Sequence, residues 1–169
     1  MYNLLRGASV IAATLTVGLT AGLFFAFFYA VMPGLANTDD RSFVSAMQRI
    51  NVAILNGWLA LCFGGALVFT ALAVALHLGR DARSVLPWLV AGLVLYAAAF
   101  AITMTLNVPL NNALDAAGDP DRITDLAAVR ERFEGAWVRW NTIRAFVNIA
   151  AFGCLTWALV LWGRISEHA

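Results

Sequence analysis

Lysine is missing from this 169-residue chain: all 11 basic residues are arginine, and 10 acids leave a formal net charge of +1. Only 12% of the residues are charged. Without a clustered basic run, a nucleic-acid surface is excluded, and so is a polybasic stripe for anionic lipid. Cysteine is scarce too. Cys62 and Cys154 both lie in apolar stretches with no C-x-x-C spacing, which removes a disulfide framework, a zinc site and a thiol-redox centre. The two histidines, His77 and His168, sit at the end of an apolar run and at the end of the sequence. Paired intramembrane axial ligands for a haem are therefore lacking. No metal site is expected.

What the chain has instead is apolar length. Hydrophobic residues make up 62%, against about 45–50% in an ordinary soluble domain. Asp, Glu and Arg are absent between Arg6 and Asp39, Arg49 and Arg80, Arg83 and Asp115, and Arg144 and Arg164. A helix needs about 20 apolar residues to cross a hydrocarbon core of about 30 Å, and each gap meets or approaches that length. The expected fold is all-α: one integral membrane domain, a bundle of four transmembrane helices over roughly 8–35, 44–78, 86–114 and 137–163. The first stretch is too long for a signal-peptide core and is read as an uncleaved span. Leu126, Val129, Phe133, Trp137 and Trp140 step by three and four, which predicts an amphipathic extension leading into the last span. Thr14, Gly18, Gly22, Ala26 and Ala30 recur every four residues. Small residues at that step allow close backbone approach, either within the monomer or in a homo-oligomer through the Gly18/Gly22 face.

Four spans put both ends of the sequence on one side with the Gly79–Ser84 loop. That side has four arginines (Arg6, Arg80, Arg83, Arg164) against seven on the other. Arg49, Arg139 and Arg144 read as helix rather than loop residues, which evens the loop count. The expected placement is the cytoplasmic membrane of a bacterium with cytoplasmic termini. Trp88, Trp162 and His77 are read as interfacial residues at that end.

Polarity at the opposite end is concentrated. Gln48, Asn51 and Asn56 open the second predicted helix, and Asn107, Asn111 and Asn112 close the third. Trp137, Trp140, Asn141, Arg144 and Asn148 open the fourth. Alternating direction brings these distant pieces to one side. Thr103, Asn107, Asn111 and Asp115 share one stripe, and Trp137, Asn141, Arg144 and Asn148 another. Pro109 lacks an N–H and frees the Thr105 carbonyl, which in a membrane belongs beside protein or a wet cavity. An arginine within a span faces the bundle interior with a partner. The candidates are Asp115, Glu134, or the amide oxygens of Asn107 and Asn111. The set reads as a polar pocket or as interhelical hydrogen-bond glue, and the tryptophans as pocket walls or interfacial belt residues.

Five motifs carry a family resemblance: Gly22-Leu-Phe-Phe-Ala-Phe, Val31-Met-Pro-Gly-Leu, Met47-Gln-Arg-Ile-Asn51, Asn107-Val-Pro-Leu-Asn111 and Trp140-Asn-Thr-Ile-Arg144. Together they resemble the anthrone oxygenase-like family of small four-helix integral membrane proteins, largely a domain of unknown function. The resemblance implies an oxidoreductase that needs no cofactor and uses O2 to oxidise a lipophilic phenolic, aromatic or quinone-like substrate. Under that implication Asn107, Asn111, Asn141 and Arg144 donate to a developing oxyanion. Trp137 and Trp140 stack on the rings, with Gln48, Asn51, Asn56 and Asn148 completing the binding set. Asp115 or Glu134 is the candidate base. Two other functions stay open: a non-enzymatic binding or transport protein for a small amphipathic or anionic molecule, and a structural membrane subunit locked by the polar cluster.

Overall fold

The structure, a computed structural model, describes residues 2–79 and 82–166. Arg80 and His168 lie outside the described residues. Among these, every regular element is helical. α1 covers 2–36 as one rod with a π-helical turn at Phe27–Val31. α2 is Asp40–Ala53 and α3 runs Gly57–Leu76. α4 is Leu86–Ala116 and α5 is Leu126–Ser166. α1, α3, α4 and α5 are the four helices long and apolar enough to cross a membrane. They form an antiparallel ring in which α1 and α4 each pack against both α3 and α5.

The second predicted span is two helices, not one. Val52-Ala-Ile-Leu-Asn-Gly-Trp-Leu reads as a continuous apolar run, yet helical structure stops at Ile54 and restarts at Gly57. The reason is Asn56. Its side-chain oxygen accepts from the Trp58 and Leu59 N–H groups at 2.9 and 3.2 Å, capping a new helix instead of continuing the old one. Asn56 is thus a structural cap. α2 is amphipathic and carries its own cap: Asp39 accepts from the Ser42 N–H at 2.9 Å and from its hydroxyl at 2.7 Å. Those bonds hold the Asp39 carboxyl below its ordinary range. The amphipathic extension and the last span form one 41-residue helix, α5, about 61 Å long at 1.5 Å per residue.

Two separate cores result. At the end of the bundle that holds the start of α1, Val10, Val17, Leu89, Tyr96, Leu155 and Trp162 interlock. Here the helices approach closely. A Cβ on Gly92 would meet Leu155 Cδ2 at 2.9 Å, and one on Gly18 would meet Phe152 Cε2 at 2.7 Å, whereas Gly22 faces open space. Trp162 and His77 are buried here, inside the bundle. The His77 ring meets Trp162 edge-on at 4.9 Å, and Arg6 bonds the Leu76 carbonyl at 2.7 Å. Trp88 does lie exposed at this end. At the other end, α2 lays Phe43, Val44 and Met47 against Phe27, Leu114, Phe133 and Trp137. Arg130 latches this cap: it bonds Glu134 at 2.7 Å, Asp40 at 3.0 Å and the Thr38 carbonyl at 2.8 Å, and covers the Phe43 ring. Gln48 adds bonds to the Leu114 and Gly118 carbonyls, both at 2.9 Å.

Candidate functional site

Between the two cores lies a cavity of about 360 Å³, at the small-molecule end of the range for ligand sites. Its walls are mostly apolar and aromatic: Phe24 and Phe27 from α1, Phe63 from α3, Met104 and Val108 from α4, and Trp137 from α5. Its polar groups are few. Arg144 and Thr103 lie deep, both buried, while Asn111, Asn112 and Asp115 reach it nearer the exposed end of α4, and Asn51 reaches it from α2.

Helix irregularity shapes this space. Among the described residues, π-helical turns occur at Phe27–Val31, Ala60–Gly64 and Thr103–Asn107, in three of the four crossing helices. Each supplies lining residues: Phe27, Phe63, and Thr103 with Met104. Such turns widen a helix locally and are common at functional sites. Two of them precede a proline, Pro33 and Pro109, where the missing N–H disfavours a regular ladder. The third is held by hydroxyls. Tyr96 donates to the Phe63 carbonyl at 2.7 Å and Thr20 to the Cys62 carbonyl at 3.2 Å, which satisfies backbone groups that lipid would not.

Arg144 is the centre of the site. It is 6% exposed. Its Nε and Nη2 donate to Asn141 Oδ1 at 3.2 and 3.0 Å, and its Nη1 donates to Thr103 Oγ1 at 3.4 Å. The guanidinium carbon sits 4.0 Å from the Phe24 ring centroid and 5.3 Å from that of Trp137. No carboxylate pairs with it among the described residues. The partners expected from sequence are therefore corrected: Glu134 belongs to Arg130, Asp115 stays exposed at the rim, and Asn107 and Asn111 bond Trp137. Neutral amides and ring faces stabilise a buried cation only in part. Of five guanidinium N–H groups three are used, which leaves one free on each terminal nitrogen.

The other sequence-derived residues divide by role. Asn111 accepts from Trp137 Nε1 at 2.7 Å, fixing the indole as a wall. Asn107 is fully buried behind that wall and donates to the Trp137 carbonyl at 3.4 Å. Asn141, also behind it, donates to the Phe24 carbonyl at 3.2 Å while holding Arg144. Asn148 bonds back to the Arg144 carbonyl at 2.8 Å. Among the described residues, Asn107 Oδ1, Asn148 Oδ1 and Asn51 Nδ2 find no hydrogen-bond partner. Each such buried group costs about 1–3 kcal/mol. Gln48, Asn56, Trp140 and Glu134 do not line the cavity. Trp140 lies beside Arg139, whose guanidinium is 5.4 Å from its ring centroid. The phenylalanine walls and Thr103 were the residues hardest to assign from sequence, since an apolar ring in a span reads as lipid-facing or core. The aromatic run Phe24, Phe25, Phe27, Phe28 and Tyr29 was the available signal. Among the described residues, no three His, Cys, Asp or Glu side chains gather where they would hold a metal ion.

No curated protein and no solved structure matches this chain. A family model described as anthrone oxygenase matches residues 56–154. That match takes in Phe63, Thr103, Asn111, Trp137 and Arg144, the lining from α3, α4 and α5, but not the walls from α1 and α2. Covering more than half of the chain, it makes this protein a member of the anthrone oxygenase family.

Proposed function

We propose that the protein oxidises a flat, lipophilic phenolic molecule with O2, binding it as an anion in the aromatic-walled cavity. One observation carries this reading: a buried guanidinium with two free N–H groups and, among the described residues, no acidic partner faces a cavity lined by four aromatic rings. An ionised phenol or enol oxygen is the partner such a cation lacks. Arg144 stabilises that oxyanion, which lowers the cost of deprotonation and enriches the ring carbon in electrons. Phe24, Phe27, Phe63 and Trp137 hold the ring plane, and the apolar walls keep water from the activated carbon. In the family's eponymous reaction a ring methylene loses two hydrogens and gains one oxygen atom of O2, the second oxygen leaving as water. Asp115 is the carboxylate that reaches the cavity, and it accepts the substrate proton in this reading. The host is a lipid bilayer, the cytoplasmic membrane of a bacterium.

Oxygen uptake by the purified protein on 1,8-dihydroxyanthrone tests the proposal. Uptake above background in the wild type and lost in Arg144→Met supports it. Equal rates in the two proteins sink it. A second reading, sequestration of an amphipathic anion without turnover, draws on the same buried cation. It predicts tight binding of the anthrone, weakened in Arg144→Met, with no oxygen consumed by either protein.

A further inference from the structure

The cavity has two rims of opposite chemistry. Toward the exposed end of α4 the lining is polar: Asn111, Asn112 and Asp115. On the outer side of the bundle it is made by Val52, Leu55 and Met104, which line the cavity yet are 66%, 75% and 48% exposed. Leu59 and Val108 continue the lining inward. Trp58 and Leu61, both strongly exposed, extend the same apolar surface along α3. An aqueous entrance would be rimmed by polar groups, because exposed apolar surface in water is unfavourable.

Backbone features leave this side open. α3 begins only at Gly57, and a Cβ on Gly57 or Gly64 would meet nothing within 4 Å. Both flanking helices carry a π turn at this level, Ala60–Gly64 in α3 and Thr103–Asn107 in α4. At the inner end of the α3 π turn the same pair closes tightly: Phe63, itself a cavity wall, stacks on Phe100 at 4.7 Å, and the Tyr96 hydroxyl bonds the Phe63 carbonyl. The gap is thus confined to the level of the cavity.

We propose that this gap is a lateral portal, through which the cavity takes an amphipathic phenol directly from the hydrocarbon phase of the bilayer. The ring body passes between Leu59 and Met104, and its ionisable oxygen turns inward to Arg144. The nature of the ligand rests on the function proposed above; the route does not require turnover. Such entry selects molecules that partition into lipid and excludes soluble phenols of the same shape.

The experiment uses the full chain in lipid vesicles. In a Cys62→Ala/Cys154→Ala background, nitroxides are attached at Leu55→Cys and Met104→Cys. Their relaxation is expected to respond to lipid-dissolved O2 more than to a water-soluble nickel chelate. Dominance of nickel at both sites overturns the portal. In a second arm, 4-hydroxybenzophenone is dissolved in the lipid and photolysed, and labelling is read on tryptic peptide 133–139, which contains Trp137. Met104→Trp or Leu55→Trp, which narrow the gap, should slow the appearance of label about tenfold. Val94→Trp, at an exposed position of α4 outside the cavity lining, should label as the wild type. Labelling at the wild-type rate in both Met104→Trp and Leu55→Trp, or none in the wild type, overturns the proposal. Slowed labelling without oxygen uptake on the anthrone would keep the portal while removing the oxygenase.

Discussion

Arg144 is surrounded by groups that cannot neutralise it. Asn141, Thr103 and two ring faces orient the guanidinium, but the charge remains where charge is expensive. Replacing it with a methionine of similar length removes that penalty and keeps the packing. Because the buried Asn141 Oδ1 then loses its donors, the two effects offset and Arg144→Met should melt near the wild-type temperature in detergent, while losing about 10²–10³-fold in oxygen-uptake rate, the loss typical of a missing oxyanion donor. A purely structural arginine would show the reverse, lower melting with any activity kept. Asn111 makes the opposite kind of contribution. Asn111→Ala leaves the buried Trp137 N–H without its acceptor and should cost about 1–3 kcal/mol in denaturation. In the Trp137→Phe background the same substitution should cost far less, and a double-mutant cycle reads the difference. From sequence, the convergence of Asn51, Asn111, Asp115, Trp137 and Arg144 was legible, because alternating helix direction dictates it. Their pairings were not, since several amides lie within reach of one another and only packed geometry selects among them. The role of Asn56 was hidden by the apolar residues on both sides of it, although an Asn-Gly step signals a break.

At the scale of the element, the cavity owes its width to departures from α-helix. Number and direction of the crossings follow from the charge-free stretches, and so they could be read directly. The π turns could not: they reflect a balance between proline sterics, hydroxyl capping and neighbour packing that no periodicity reports. Pro109 marks one of them, although the sequence tells only that a carbonyl is freed. Pro109→Ala should let Thr103–Asn107 wind as regular helix, turning Thr103 away from Arg144 and narrowing the gap beside Met104. The expected result is a higher melting temperature together with about tenfold weaker binding of the phenolic probe. Unchanged affinity would show that the π turn does not depend on the proline.

The whole molecule is a bundle tightened at one end and capped at the other, with α5 common to both. The cap depends on polar latches at the exposed end: Arg130, Gln48, the Arg41–Asp121 pair and the Asp39 helix cap. The last of these is pH-dependent with a definite sign. Its bonds to Ser42 lower the Asp39 carboxyl from its ordinary value. Its stabilisation of α2 is therefore complete above the ordinary carboxylate range and fades as pH falls through the lowered value. Protection of the α2 amides against hydrogen exchange, taken relative to their intrinsic rates at each pH, should fall on acidification in the wild type. Asp39→Asn, which keeps a capping oxygen but cannot titrate, should flatten that contribution. The family match begins at residue 56, so the cavity walls contributed by α1 and α2 lie outside it.

Among the described residues the Arg144 guanidinium has no acidic partner, so its charge is stabilised only in part. Whatever anion settles there completes that stabilisation, so occupancy and folding free energy are linked through RT ln(1 + [L]/Kd). In the proposed reading, the protein is more fragile without its anion than with it. On the function proposed above, the bundle would report on the supply of its own ligand, scarcity shortening its lifetime and abundance preserving it.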